Sequence, residues 1–245
     1  MCYHKALQAD LKTISEYYSA SYTKAVAEQF EIRFYESGFS HRQTPIITSR
    51  EKSIVGLSTW GLIPTWVKDL SKAKAIQSKT LNCISEEMYD KPSYRYSAKN
   101  GMRCLIPCTA FYEWRWFEGG KTKIPYLIKL KESNLFSLGG LFTEWKNPEN
   151  NESIHSYTVL TTKANSVMEV IHNSKKRMPV IIPREYESDW LNDTLTRQDV
   201  ESLCKSVDSD KIEYWTISKM ITDRKVVNKN VPEIQSHTKY DLAGG

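Results

Sequence analysis

The feature that most restricts the fold of this chain is a long succession of short apolar runs separated by turn-forming residues. Pro45–Thr48, Val55–Leu62, Arg103–Ile106, Phe111–Phe117, Tyr126–Lys131, Leu135–Leu141, Tyr157–Thr161, Pro179–Ile182 and Tyr214–Ile217 are rich in β-branched and aromatic residues. Several alternate apolar with polar positions and are bounded by Gly, Pro or Asn, the pattern of half-buried strands. One stretch of different period precedes them. Leu11–Phe30 carries Ala, Glu and Lys with apolar residues at mixed three- and four-residue spacing, which predicts a helix. Shorter helices are expected over Asn165–Ile171, Arg184–Leu191 after Pro183, and Arg197–Lys205. The breaker-rich segment Lys146–Ser153 reads as a surface loop between strands, not as a linker between domains. Strand–helix–strand alternations are few. The expected class is therefore α+β: a single domain over residues 1–245, built on a curved, mostly antiparallel, barrel-like β-sheet with flanking helices.

A chain of 245 residues can bury a sufficient core without disulfide or metal staples. The formal charge of +5 permits a polyanionic partner without requiring one. Five cysteines are an odd number, and the opening MCYHKALQAD has neither an apolar core nor a cleavage site of the secretory type. Free thiols and a cytoplasmic location follow as expectations, with association to the nucleoid if the source is bacterial. No window approaches the roughly 18 apolar residues of a membrane span, so no membrane partner is expected. Cys104 and Cys108 are spaced too widely for a zinc knuckle, no His pair accompanies them, and no glycine-rich phosphate loop occurs. Neither a metal nor a cofactor is expected, and the default oligomeric state is a monomer.

The residues that can carry chemistry begin at Cys2. Removal of the initiator Met would leave an α-amine and a thiol on one residue. With ordinary pKa values of about 8 and 8.5, both nucleophilic forms are populated near neutrality. Such a 1,2-aminothiol reacts with aldehydes: the amine forms a Schiff base and the sulfur closes a thiazolidine. A chain-end cysteine with no role is the alternative. In Phe111-Tyr112-Glu113-Trp114, strand alternation puts Glu113 with Phe111 on one face and Tyr112 with Trp114 on the other. A carboxyl group in partly apolar surroundings has a raised pKa suited to general acid–base work, whereas a paired surface Glu would be inert. His172 falls where a short helix gives way to a loop bearing Lys175, Lys176 and Arg177. Trp66, at the end of Trp60-Gly61-Leu62-Ile63-Pro64-Thr65-Trp66, is either core or a base-stacking surface.

Cys2, WGLIPTW, Asn82 within LNCISEE, Lys91-Pro92, RCLIP, FYEW, TTKAN, Ile171-His172 and RMPVII occur together in the order and approximate spacing of one family. In these motifs the chain resembles the SOS response-associated peptidase (SRAP) family. The resemblance is strongest over residues 2–182, with a weaker match at Val227–Glu233 inside the C-terminal part, 183–245. It implies an abasic-site sensor in which the initiator Met is removed autocatalytically and the exposed Cys2 joins the ring-opened deoxyribose of single-stranded DNA as a thiazolidine crosslink. It further implies that Asn82 holds the Cys2 amine and that Glu113 shuttles protons. His172 would assist sugar ring opening and crosslink reversal, with Thr162 lining the same pocket. Trp66 and Trp114 would stack on bases, while Lys175, Lys176 and Arg177 would meet phosphates. The chain departs from the family pattern in three places. Tyr3-His4 stands where Gly-Arg is usual, so the phosphate contact there is either pH-dependent or lost. Ile84 stands where an Arg is usual, and four residues separate His172 from Arg177 where one is common. Two other readings remain open at this level: a cysteine peptidase acting on other proteins, with Cys2, His172 and Glu113 as its centre, and a single-strand-binding module without catalysis.

Overall fold

The structure, a computed structural model, describes residues 2–241; Met1 and 242–245 lie outside the described residues. Strand β1 (His4–Leu7) leads into helices α1 (Leu11–Tyr18) and α2 (Lys24–Gln29), then β2 (Arg33–Ser37), β3 (Gln43–Thr48) and β4 (Gly56–Trp60). Helix α3 (Leu70–Gln77), β5 (Asn82–Ile84) and α4 (Arg95–Lys99) precede the long strands β6 (Arg103–Cys108), β7 (Ala110–Phe117), β8 (Thr122–Leu130), β9 (Phe136–Lys146) and β10 (Ser153–Lys163). Helix α5 (Ser166–Ile171), β11 (Arg177–Pro179), β12 (Ile181–Ile182), α6 (Glu187–Trp190), α7 (Arg197–Leu203) and β13 (Ile212–Thr216) follow.

Five of these strands close on themselves. β4 pairs with β3, β3 with β6, β6 with β9 and β9 with β10, all antiparallel, and a short parallel pairing of β10 with β4 completes the ring. Closure removes two sheet edges that would otherwise be open to other chains. Its interior is filled by alternate side chains of these strands, among them Ile46, Cys104, Ile106, Leu138, Phe142 and Tyr157. Each fully buried aliphatic or aromatic side chain stabilises the fold by roughly 1.5–3 kcal/mol. Gly140 of β9 has no room for a side chain: a Cβ there would lie 2.6 Å from the Thr158 carbonyl oxygen. Beyond the ring, β10 continues between β5 and β11.

A second sheet, in the order β13-β8-β7-β1-β2, packs against the barrel. The alternation predicted for β7 holds: Phe111 joins the barrel-side core, whereas Tyr112 and Trp114 join a cluster on the outer face with Ala6, Phe34 and Tyr35. The C-terminal segment covers that outer face. Asn230 Oδ1 accepts the Phe34 N–H at 2.8 Å, and Gln235 Nε2 donates to the Tyr112 hydroxyl at 2.9 Å. Strand β1 is held from both sides, with Lys5 opposite Phe111 in β7 and opposite Glu36 in β2. Lys5 Nζ lies 3.1 Å from Glu36 Oε2, and this ion pair is sealed from solvent.

The structure corrects the sequence reading in several places. The single helix predicted over Leu11–Phe30 is two helices. The Ser19 N–H bonds to the Glu16 carbonyl and the Ala20 N–H to the Ser15 carbonyl, ending α1 with Ser19 in the left-handed region at φ 50°. Thr23 then caps α2 by accepting the Val26 N–H. Strands β1, β2 and β5 and helices α3 and α4 were not predicted. β1 is four residues long with a buried lysine, and β5 is three residues long, so neither has a readable period. The loop expected between Lys146 and Ser153 is present, bounded by β9 and β10. No helix among the described residues is long and apolar enough to cross a membrane.

Candidate active site

Three of the predicted residues meet where β1, β7 and the end of α5 converge. Extending the β1–β7 register from Lys5 opposite Phe111 brings the residues just before β1 alongside Glu113 and Trp114. Glu113 therefore faces the barrel side beside the start of the chain and is 4% exposed. Burial, which penalises the carboxylate, raises its pKa to about 7. Cys2 is fully buried among Ile106, Cys108 and Phe111. Its thiol is pushed well above the ordinary range, first by burial and then by the neighbouring Glu113 carboxylate.

His172 is the C-terminal cap residue of α5, as its position at the helix–loop boundary predicts. The helix is started by Asn165, whose side chain accepts the Met168 N–H at 2.9 Å and donates to the Val207 carbonyl at 2.7 Å. His172 Nδ1 lies 2.7 Å from the Arg177 carbonyl oxygen, so it is the protonated nitrogen of the neutral ring. That tautomer makes Nε2 the acceptor, and Nε2 lies 3.8 Å from Glu113 Oε2. Burial lowers the imidazole pKa to about 4. Around neutrality the pair is thus a carboxyl group half in its acid form beside an imidazole in its base form.

Asn82 lies in the barrel-side sheet and is not part of the cavity wall. It begins β5, opposite Val159 of β10, directly after Leu81, which packs in the same core cluster as Cys2. Both polar atoms of its amide are buried and have no partner among the described residues, although the Tyr94 hydroxyl donates to its backbone carbonyl at 2.9 Å. An orphaned buried amide costs roughly 1–3 kcal/mol, which a ligand supplying the missing bonds would recover.

Glu113 and His172 open onto a cavity of about 520 Å³ whose wall also contains Tyr3, His4, Trp114, Trp116, Lys123, Ser174, Lys175 and Thr222. Of the residues predicted to meet DNA, Trp114 and Lys175 line this cavity. Lys176 is exposed nearby, in the left-handed region at φ 52°. Trp66 is 52% exposed and donates its indole N–H to the Pro92 carbonyl at 3.2 Å, away from the cavity wall. Thr162 is buried in β10 opposite Met178 and is not part of the wall. The Arg177 guanidinium is engaged by both oxygens of Glu86, at 2.8 and 2.7 Å, and this bond holds the Glu86 carboxyl down at about 2. His4 packs parallel to Tyr35, meets Trp114 edge-on, and shares a 2.9 Å hydrogen bond with the Tyr35 hydroxyl. Burial lowers its pKa to about 4, so it carries no charge at neutral pH. Sequence reasoning missed Trp116, Lys123 and Thr222. The first two are directly opposite on β7 and β8, a pairing that only the hairpin register reveals.

Comparison with known proteins gives a consistent result. The profile of the SOS response associated peptidase (SRAP) family matches residues 1–224. The abasic site processing protein YoqW of Bacillus subtilis (strain 168) is 41% identical over 194 residues, covering 78% of this chain and 81% of its own length. The abasic site processing protein HMCES of Xenopus tropicalis is 29% identical over 238 residues, covering 89% of this chain and 66% of its own. A crystal structure of a protein from Bacteroides thetaiotaomicron superposes with a TM-score of 0.89 at 30% identity, covering 97% of this chain and all of that one. With the family profile spanning nearly the whole chain and relatives of this similarity, the protein belongs to the SRAP family.

Proposed function

We propose that this protein captures abasic sites in single-stranded DNA through a covalent thiazolidine at Cys2, formed after it cleaves off Met1, and so shields the lesion during the response to DNA damage. The observation that carries the reading is a buried Cys2 beside an acid of pKa about 7, which with a neutral imidazole borders a cavity large enough for a sugar. The names of the relatives, abasic site processing proteins, support a role at abasic sites.

Each step has a group suited to it. Hydrolysis of the Met1–Cys2 bond, with water as nucleophile, releases Met1 and frees the α-amine of Cys2. An abasic deoxyribose is mostly a closed hemiacetal, and opening it requires a proton on the ring oxygen and removal of one from the anomeric hydroxyl. Glu113 in its acid form donates the first, and His172 Nε2 can accept the second. A ring held neutral by burial, with Nδ1–H committed to a carbonyl, serves better as the base than as the donor. The proton taken by His172 returns to Glu113 across the 3.8 Å between them; the Cys2 amine then adds to the aldehyde, water leaves with that proton from Glu113, and the C=N bond forms. The thiol adds to that carbon: a C–S bond forms and the sulfhydryl proton ends on nitrogen. Because burial keeps the thiol protonated, the amine reacts first. Asn82 would hold the amine through its otherwise orphaned amide.

Intact mass measurement before and after mixing with an abasic single-stranded oligonucleotide tests the reading. The expected result is a chain lacking Met1 that gains the mass of the oligonucleotide minus one water. Cys2→Ala should abolish the gain. Retention of Met1 in protein that still forms the adduct would overturn the mechanism, and turnover of unrelated peptides without adduct would favour a peptidase.

A further inference from the structure

The cavity is larger than the reaction proposed for it requires. An open deoxyribose has about nine heavy atoms, and at the roughly 30 Å³ that a water molecule occupies in the liquid they fill about half of the volume. Besides the residues of the reactive centre, its wall contains Trp116, Lys123, Ser174, Lys175 and Thr222.

Two features hold the cations of this wall in place. Lys123 lies directly across the β7–β8 hairpin from Trp116, with its ammonium 4.1 Å from the indole centroid. A cation held on an aromatic face loses less freedom on binding an anion than a free surface lysine does. The second feature is the segment 173–176. Strand β1 pairs with β7 only near Phe111, leaving the edge of β7 uncovered at Trp116. Asn173 takes that vacant position: its Oδ1 accepts the Trp116 N–H at 3.0 Å and its Nδ2 donates to the Trp116 carbonyl at 2.8 Å. At its other end the segment is tied by the Lys176 N–H to the His172 carbonyl at 2.8 Å and by the Ala164 N–H to the Lys176 carbonyl at 3.0 Å. Lys175 lines the same cavity as the Trp116–Lys123 pair. Among the described residues, Glu113 is the only acidic side chain on the cavity wall.

We propose that Lys123 and Lys175 form a phosphate subsite that takes the phosphodiester flanking the abasic sugar, with Trp116 and Asn173 as its positioning residues. The proposal rests on the function proposed above and extends it. The subsite supplies positive charge that neutral His4 and Ile84 do not.

The test separates binding from covalent chemistry by using single-stranded DNA carrying a tetrahydrofuran analogue, which has no aldehyde. Dissociation constants are measured across a range of salt for the full chain and for Lys123→Ala/Lys175→Ala. Each phosphate contact to a single strand contributes about 0.7 to the slope of log affinity against log salt. Because the two lysines share one phosphodiester, the double variant should lose about 0.7 from the slope, so that a tenfold rise in salt costs the parent about fivefold more affinity than the variant. The difference should vanish when the flanking linkage is a neutral methylphosphonate, and Lys123→Arg/Lys175→Arg should restore the slope. An unchanged slope in the double variant, or a difference that survives the neutral linkage, would overturn the subsite. Failure of the parent to form an adduct with a true abasic oligonucleotide would instead overturn the covalent function, while these slopes would still report on the lysines.

Discussion

Two acid–base pairs buried at one sheet, Lys5–Glu36 within it and Glu113–His172 between it and the end of α5, differ in almost every physical respect. Lys5 and Glu36 face each other across β1 and β2, 3.1 Å apart and closed to solvent. Glu113 and His172 are 3.8 Å apart and border a cavity. The first pair is close enough for mutual attraction to offset much of the cost of burying two charges. In the second, burial dominates, raising the acid to about 7 and lowering the base to about 4. Similar burial thus yields a fixed ion pair in one place and a pair of exchangeable protons in the other. Distance and access to the cavity make the difference. Lys5–Glu36 lies three residues downstream of Cys2, where it anchors a four-residue strand that would otherwise fray with the chain end.

The contrast can be broken from either side. The largest effect is expected at the open pair: Glu113→Gln should slow adduct formation with abasic DNA by about 10²–10⁴-fold, followed by intact mass over time. At the sealed pair the effect should fall on stability. Lys5→Met leaves a buried carboxylate unpaired and should cost about 3–5 kcal/mol in chemical denaturation, whereas Lys5→Met with Glu36→Leu should recover most of it. A full loss in the double variant would show that the charges themselves are needed.

The pH dependence of stability sharpens the same comparison. Glu113 has a folded pKa of about 7 against an ordinary 4.5. The folded state therefore binds more protons between those values, and its relative stability, full below 4.5, is lost as pH rises through 7. The change is about 3 kcal/mol. His172, lowered from 6.5 to about 4, has the opposite sign: its contribution is full above 6.5 and is lost as pH falls through 4. Glu113→Gln should consequently gain stability over the parent at pH 8 relative to pH 5 in urea titrations; an equal difference at both pH values would contradict the raised acid. The smallest effect is expected outside both pairs. Lys176→Ala, at an exposed loop position, should reduce the salt slope of binding by about 0.7 and leave the adduct rate at saturating DNA unchanged.

How far these features can be read from the sequence follows the range of the interactions involved. Alternation in FYEW places Glu113 on the face of Phe111, because side-chain direction in a strand is a two-residue property. The end of a short helix at His172 is equally local. The break at Ser19 was missed because Ser and Ala are compatible with a continuing helix; a left-handed residue and a new cap at Thr23 stop it instead. The burial of Lys5 contradicts its usual preference, and its partner is supplied by a strand about thirty residues away, beyond any local pattern.

By itself the sequence determined the strand-rich class, the identity of the chemical groups and, through the order of its motifs, the family. The tertiary structure alone decided which groups meet and in what ionisation state. Cys2, Glu113 and His172 share no local signal, and converge only because β1 is inserted beside β7 and α5 ends against it. A carboxyl near 7 and an imidazole near 4 arise from the removal of water by strands distant in the chain, and desolvation of that kind is a property of the assembled core.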